Sequence, residues 1–199
     1  MTAAEVGTPH GPARVHLHPT AEPAGWLVLG HGAGGGVGAR DIVIATRTAN
    51  EVGWSVALVE QPYRVAGRKS PAPAPQLDSA WTAVVERLRA DVLGDRPLVA
   101  GGRSSGARVA CRTAAATGAA GVLCLAFPVH PPGRPEKTRL PELDAVAVPV
   151  LVIQGERDPF GMPPAAAGRT VVAVPGTHSF TSSAQGVAEA VAGWLPRAG

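Results

Sequence analysis

The sequence predicts a single α/β domain over residues 1–199, with a mainly parallel sheet of about six or seven strands and helices on both faces. Short apolar runs alternate with amphipathic segments along the chain, as they do when crossover helices join neighbouring strands. Several runs are apolar at nearly every position, which is typical of strands buried on both faces. The 199 residues, 45% of them hydrophobic and 17% charged, are enough for one core without a metal or a disulfide.

The predicted strands are seven short apolar runs bounded by Gly, Pro or polar residues. They cover Ala13–His18, Trp26–Gly30, Trp54–Glu60, Leu98–Gly101, Ala120–Phe127, Val148–Gln154 and Thr170–Val174. Four segments between or after them have apolar residues at helical spacing, and we expect helices there. These segments are Ala39–Val52, Leu77–Val92, Ser104–Ala116 and Ser183–Leu195. The connections 61–76 and 128–141 show little regular pattern, and the second is too short to form a cap domain.

Composition and charge argue against several other classes of protein. The 18 basic and 15 acidic residues give a net charge of +3. The basic residues are scattered and few aromatic residues accompany them, so we expect no nucleic-acid partner. The N-terminal segment lacks the basic start and apolar run of a signal peptide, and no stretch is apolar enough to span a membrane. We therefore expect a cytoplasmic protein without a membrane partner. Cys111 and Cys124 are then expected to be reduced thiols in the core.

The clearest functional motif is Gly-Arg-Ser-Ser-Gly at residues 102–106. It directly follows the predicted strand Leu98–Gly101 and opens a predicted helix. A serine at its centre sits on a sharp turn, where the flanking glycines leave room and the helix N-terminus favours developing negative charge. The spacing favours Ser104 over Ser105 as a nucleophile. A glycine- and serine-rich turn that only caps the helix is the alternative explanation.

A serine hydroxyl needs a base to remove its proton, and the base needs an acid to fix its tautomer. Among the six histidines, His178 is the best candidate because it lies between the last predicted strand and the last predicted helix. Asp158 follows the strand Val148–Gln154 in a Gly-x-x-Asp-Pro turn and is favoured over Glu156. The chain order Ser, Asp, His is the order found in the α/β-hydrolase fold. We therefore predict that Ser104, Asp158 and His178 are the catalytic residues.

A glycine-rich loop follows the strand Trp26–Gly30 and reads His-Gly-Ala-Gly-Gly-Gly from residue 31. Its main-chain amides are expected to supply half of an oxyanion hole, which binds the negative charge of a tetrahedral intermediate. Ala33 is the first choice of donor in this loop, with Gly34 as the alternative. The amide of Ser105 is the expected second donor.

The same loop allows a different interpretation. From Gly30 onward it matches the Gly-x-Gly-x-x-Gly fingerprint of dinucleotide-binding domains, and Glu60 ends the next strand, where a ribose-binding acid would lie. This alternative is weaker because a run of glycines matches the fingerprint easily. It would also leave the placement of the serine, aspartate and histidine unexplained.

With these motifs in view, the sequence resembles the α/β-hydrolase superfamily and, within it, the testis-expressed protein 30-like group, which is related to dienelactone hydrolases. The resemblance implies an α/β-hydrolase fold without a cap domain, and it carries over Ser104, Asp158 and His178. Dienelactone hydrolases use a cysteine nucleophile where this chain has Ser104. Four segments carry the resemblance: His-Gly-Ala-Gly at 31–34, Gly-Arg-Ser-Ser-Gly-Ala-Arg at 102–108, Phe-Pro-Val-His-Pro-Pro-Gly-Arg-Pro-Glu-Lys at 127–137 and Gln-Gly-Glu-Arg-Asp-Pro-Phe-Gly at 154–161.

These residues together predict a serine hydrolase that cleaves a small-molecule ester or thioester through an acyl-enzyme, and no metal or organic cofactor is implied. Some members of the group are better known as subunits of complexes, so a catalytically weak hydrolase fold that serves as an interaction module is the second hypothesis. His130, Arg134, Lys137 and Arg139 lie in the loop 128–141, and one hypothesis is that they favour acidic or polar acyl groups. The sequence favours the other explanation, a merely solvated loop. The sequence specifies neither the substrate nor the oligomeric state.

Overall fold

The computed structural model describes residues 2–180 and 183–197. These residues form one eight-stranded sheet in the order β1-β2-β4-β3-β5-β6-β7-β8. Strand β2 is antiparallel to both of its neighbours, whereas β3 to β8 are all parallel. The strands are β1 (Thr2–Thr8), β2 (Gly11–His18), β3 (Gly25–Gly30), β4 (Trp54–Glu60), β5 (Leu98–Arg103), β6 (Gly121–Leu125), β7 (Val150–Gly155) and β8 (Arg169–Val174).

Helices cover both faces of the sheet. One face packs against α1 and α6, and the other packs against α3 and α4. The helices are α1 (Arg40–Glu51), α2 (Pro62–Val65), α3 (Ala74–Leu88), α4 (Ser105–Thr117), α5 (Leu140–Asp144) and α6 (Ala184–Trp194). A π-helical turn, Arg89–Leu93, extends α3, and a 3₁₀ turn, Leu195–Arg197, follows α6.

The apolar runs are continuous because alternate residues of each central strand enter different cores. In β3, Leu27 and Leu29 pack on the side of α1 and α6, whereas Val28 packs on the side of α3 and α4. All six residues of β3 are buried. Since side chains alternate across a strand, burial on both faces requires an apolar residue at nearly every position.

The strand order brings two loops together at the carboxyl edge of the sheet. Strand β3 pairs with β4 on one side and with β5 on the other, so the connections that leave β3 and β5 cross opposite faces. In parallel α/β sheets, the crevice beside such a reversal of strand order is where ligands bind. The glycine-rich loop follows β3, and the Gly-Arg-Ser-Ser-Gly turn follows β5.

The predicted fold class and all seven predicted strands are confirmed, with ends that differ by a few residues. The predicted count of six or seven strands is too low because β1 adds an eighth at the edge of the sheet. The connection at 61–76 contains the short helix α2 and the start of α3, and the connection at 128–141 contains the start of α5. Cys111 and Cys124 are buried free thiols, as expected, with their sulfur atoms 3.6 Å apart.

Candidate active site

Ser104 occupies a strained turn between β5 and α4. Its φ of 52° and ψ of −106° lie in a region that residues with a side chain rarely adopt. The turn is tight because a Cβ atom at Gly102 would lie 2.6 Å from the carbonyl oxygen of Gly30, and one at Gly106 would lie 2.5 Å from the same oxygen. A hydrogen bond of 2.9 Å from the Ser104 amide to the carbonyl of Leu125 ties the turn to β6. Strain that the surrounding structure maintains in this way is typical of functional sites.

Three side chains from distant segments form a continuous hydrogen-bonded chain at this turn. His178 Nε2 lies 2.9 Å from Ser104 Oγ, and His178 Nδ1 lies 2.8 Å from Asp158 Oδ2. The Asp158 side chain is fully buried, and that of His178 is 16% exposed. The structure thus brings together the three residues that the sequence analysis selected. In this geometry the imidazole is able to accept the hydroxyl proton while the carboxylate holds the other ring nitrogen.

The carboxylate of Asp158 has two further anchors that the sequence analysis missed. Its Oδ1 accepts a hydrogen bond of 2.8 Å from the amide of Phe160, and its Oδ2 accepts one of 2.8 Å from Gln154 Nε2. Gln154 is completely buried at the end of β7. It also donates to the carbonyls of Phe127 and Gly161. Gln154 therefore joins β7, the loop after β6 and the acid in one network.

The loop that carries His178 crosses closely over the loop that carries Asp158. A Cβ atom at Gly155 would lie 2.3 Å from the carbonyl oxygen of Thr177, so this crossing requires glycine. The ring of Phe160 packs on the imidazole of His178, with ring centres 4.3 Å apart. This contact covers part of the imidazole with an apolar surface and restricts its rotation.

The glycine-rich loop is held by His31. The His31 side chain is buried, with its Nε2 atom 3.0 Å from the amide of Gln61 and its Nδ1 atom 2.8 Å from the carbonyl of Gly32. Since the amide can only donate, Nε2 is the acceptor and Nδ1–H is the donor. Burial lowers the pKa of His31, which favours this neutral form. The hydroxyl of Tyr63 donates to the carbonyl of Ala33 at 2.9 Å.

The expected oxyanion donors lie on the two loops that meet at the sheet edge. Ser105 is the first residue of α4, so its amide is among those that the helix itself leaves unbonded. Ala33 is half-buried beside the held segment of the glycine-rich loop, whereas Gly34 is exposed.

The structure does not support the dinucleotide fingerprint. A fingerprint glycine opens the helix that binds the pyrophosphate, but α1 begins only at Arg40 and the surroundings of Gly35 are open. Glu60 instead lies 2.7 Å from the imidazole Nε2 of His16. The glycine-rich loop therefore lacks the tight strand-to-helix turn that this alternative needs.

Arg103, the residue before Ser104, contacts both Asp41 and His178, and the sequence analysis did not identify it. Its Nε donates to Asp41 Oδ2 at 3.0 Å, and its Nη2 donates to the main-chain carbonyl of His178 at 2.9 Å. The Asp41 side chain is 2% exposed and lies in the first turn of α1. Burial raises the pKa of Asp41, and the charge of Arg103 opposes that effect.

The loop 128–141 packs against the acid-bearing loop. The amide of His130 donates to the carbonyl of Phe160 at 3.2 Å, and His130 is half-buried. Arg139 is also half-buried. Its pKa is lowered mainly by burial and also by the nearby charge of Arg108. Arg134 is exposed at a turn. His130 and Arg139 thus lie in the packed part of the loop and Arg134 in its solvated part.

A second serine–histidine contact provides a useful contrast. His10 Nε2 lies 2.8 Å from Ser79 Oγ on the exposed surface. In the described part of the chain, no carboxylate contacts His10, and Ser79 lies inside α3 without the strained turn. The same part of the chain contains no group of three His, Cys, Asp or Glu residues arranged to hold a metal ion.

Comparison with known proteins gives a consistent result. Residues 23–185 match a family model described as an alpha/beta hydrolase domain. Among curated proteins, none matches the sequence. A serine hydrolase without a lid from Xanthomonas campestris is similar in structure, with 23% identity, a TM-score of 0.81 and coverage of 98% of this chain and 94% of that one.

Two further solved structures have similar folds. Est1E from Butyrivibrio proteoclasticus is 18% identical, with a TM-score of 0.76 and coverage of 100% of this chain and 99% of that one; another structure of Est1E contains bound ferulic acid. Dienelactone hydrolase from Anabaena variabilis is 17% identical, with a TM-score of 0.77 and coverage of 98% of this chain and 96% of that one.

Across the described residues of this chain, no helix has the length and apolar character needed to cross a membrane.

Proposed function

The chain belongs to the alpha/beta hydrolase domain family, and on that premise we propose that it is a serine hydrolase that cleaves a carboxylic ester or thioester. One observation carries the proposal: His178 is hydrogen-bonded through one ring nitrogen to Ser104 and through the other to Asp158. Acyl transfer to serine requires a nucleophile, a base and an acid that orients the base, linked by hydrogen bonds in this order.

In the proposed reaction, His178 Nε2 takes the proton of Ser104 Oγ while that oxygen attacks the carbonyl carbon. Asp158 stabilises the resulting imidazolium through Nδ1–H. The main-chain amides of Ala33, or alternatively Gly34, and of Ser105 hold the oxyanion of the tetrahedral intermediate. His178 then protonates the leaving oxygen or sulfur as its bond to the carbonyl carbon breaks, so an alcohol or thiol departs and an acyl-enzyme remains.

Hydrolysis of the acyl-enzyme repeats these steps with water as the nucleophile. His178 removes a proton from the water molecule as its oxygen attacks the acyl carbon, and it then returns the proton to Ser104 Oγ. The products are a carboxylic acid and regenerated enzyme. Apart from the substrate and water, the proposed cycle uses side chains and main-chain amides of the protein.

Labelling with a fluorophosphonate probe tests the proposal. The wild-type protein is expected to be labelled, and Ser104→Ala is expected to reduce the labelling rate by at least about 10³-fold because the nucleophilic oxygen is lost. Ser79→Ala is the matched control, since Ser79 also contacts a histidine, and it should be labelled like the wild type. Folded wild-type protein that does not react would favour an interaction module instead.

We extend the proposal to the acyl group and to the narrower family. We propose that the chain is a testis-expressed protein 30-like hydrolase, which the four motif segments support, and that Arg139, supported by His130 and Arg134, gives preference to acyl groups that carry a carboxylate. Arg139 is the main candidate because it is half-buried and no ion pair to its side chain occurs among the described residues.

Hydrolysis rates of neutral and carboxylated esters test this preference. Arg139→Ala is expected to slow carboxylated esters by about 10-fold relative to neutral ones, which corresponds to one charge-assisted hydrogen bond. Arg134→Ala, on the exposed part of the loop, is expected to have a smaller effect. Feruloyl esters complete the substrate panel because Est1E binds ferulic acid. Equal slowing of both classes of ester would refute the preference.

A further inference from the structure

We propose that Arg103, held in place by Asp41, is a positioning residue that fixes the main chain of His178 for proton transfer. The inference rests on the proposed function and deepens it. It concerns two residues that neither attack the substrate nor exchange a proton with it.

The guanidinium of Arg103 touches three segments that surround the nucleophile. It donates to Asp41 at the start of α1 and to the main-chain carbonyl of His178 after β8. It also lies against the glycine-rich loop, where a Cβ atom at Gly32 would be 3.2 Å from its Nη1 atom. Since Arg103 immediately precedes Ser104, one side chain links the nucleophile, the base and the loop of the expected oxyanion donor.

The identity of this residue matters because the two hydrogen bonds need different nitrogen atoms of one rigid group. The planar guanidinium presents Nε and Nη2 in fixed directions, whereas a lysine has a single ammonium on a flexible stem. The Arg103 side chain is 18% exposed and that of Asp41 is 2% exposed, so little water is available to replace either contact. Asp41 Oδ1 also accepts from the amide of Ile42 at 2.9 Å, which fixes the carboxylate on α1.

The carbonyl of His178 is an effective point at which to control the base. The imidazole makes bonds of 2.8 and 2.9 Å on its two sides, so a displacement of its main chain lengthens at least one of them. Misplacement of a catalytic group by about 1 Å costs on the order of 10²-fold in rate. Since His178 is the proposed base in both acylation and deacylation, loss of Arg103 should slow both steps by a similar factor. Their ratio, which sets the burst amplitude and contributes to KM, should then change little.

The test is the rate and extent of Ser104 acylation, measured by the pre-steady-state burst with a neutral nitrophenyl ester. For Arg103→Met we expect a burst rate about 10²-fold lower, a KM close to the wild-type value and a full burst amplitude. Arg103→Lys should recover part of the rate, because its ammonium can reach one of the two acceptors. Arg112→Met is the matched control: Arg112 has the same 18% side-chain exposure and pairs with Asp78 and Glu142 on another side of α4, and its burst rate should equal that of the wild type.

The burst rate and the burst amplitude together distinguish a positioning role of Arg103 from a role in stability alone. A reduced amplitude with a normal rate in Arg103→Met would mean that some molecules are unfolded and the rest are competent, which would overturn the inference. A wild-type rate at full amplitude would overturn it as well. If Arg103→Met does not fold, the rate and amplitude of Arg103→Lys decide in the same way.

A second measurement separates this inference from the proposed function. The Nδ1 proton between His178 and Asp158 should give a strongly deshielded proton resonance in the NMR spectrum of the wild type. Arg103→Met is expected to shift or broaden this resonance, and Arg112→Met is not. This readout applies even to a wild-type protein that fails to react with esters; an unchanged resonance in Arg103→Met would refute the positioning role by itself.

Discussion

The two glycine-rich loops at the carboxyl edge of the sheet use their glycines in opposite ways. In the turn after β5, Gly102 and Gly106 approach the carbonyl of Gly30 so closely that a methyl group would overlap it. In the loop after β3, Gly34 and Gly35 have open space around them. The first loop needs glycine because it is tightly packed, whereas Gly34 and Gly35 of the second loop meet no steric requirement. Ser104 thus lies on a tightly packed segment, whereas the opposing loop is held by a few side-chain hydrogen bonds.

The largest difference between the two loops should appear on adding a methyl group to each. Gly102→Ala is expected to destabilise the protein by about 3 kcal/mol or more, because neither Gly30 nor Gly106 can move away without disrupting the turn. Gly35→Ala should change stability by less than about 0.5 kcal/mol. Urea denaturation of both variants measures the contrast. Similar free energies of unfolding for the two variants would contradict it.

Removing His31, which holds the glycine-rich loop, should have a smaller effect on the free energy of unfolding, and this effect should depend on pH. His31→Ala leaves the amide of Gln61 without its acceptor, and we expect a loss of about 2 kcal/mol at pH 7.5. Burial lowers the pKa of His31 from its ordinary value of 6.5, so the unfolded chain takes up this proton more readily than the folded protein. The stability due to His31 is present above pH 6.5 and is lost as the pH falls through the folded-state pKa.

Unfolding free energies of the wild type and His31→Ala at pH 7.5 and 5.5 provide the measurement. The gap between the two proteins should narrow at the lower pH. His18, whose pKa burial also lowers, is present in both proteins, so its contribution cancels. A gap of equal size at both values of pH would show that His31 does not have to be neutral.

The smallest effect concerns the backbone strain at Ser104. Glycine adopts the backbone angles of Ser104 more readily than alanine does, so Ser104→Gly should be more stable than Ser104→Ala by about 1 kcal/mol after the greater unfolded-state entropy of glycine is subtracted. Both variants lack the hydroxyl and should be inactive. Thermal unfolding of the pair measures the strain directly, and equal melting temperatures would show that the turn costs little.

The parts of the site that the sequence predicted are those that follow directly from strand ends. Ser104, Asp158 and His178 come after β5, β7 and β8, and the carboxyl ends of parallel strands share one edge of the sheet. Residue type and chain order were therefore enough to select them.

The missed residues act through partners that no local pattern connects. Arg103 lies 62 positions from Asp41 and 75 from His178, and it occupies a variable position of its motif. In the sequence, Gln154 is a polar residue at the end of a strand like many others. Only the structure shows that its amide donates to three acceptors. Strand β1 was missed because its side chains are mostly exposed and lack apolar alternation; it is held by main-chain pairing with β2.

The 74 residues that separate Ser104 from His178 along the chain have a consequence for the proposed chemistry. The carbonyl that holds the Ser104 amide belongs to β6, whereas the proposed base lies after β8. A nascent chain whose synthesis has reached β6 but not residue 178 would therefore carry Ser104 without its base. Under the proposed function, such a chain would gain reactivity only after β8 and His178 have joined the sheet.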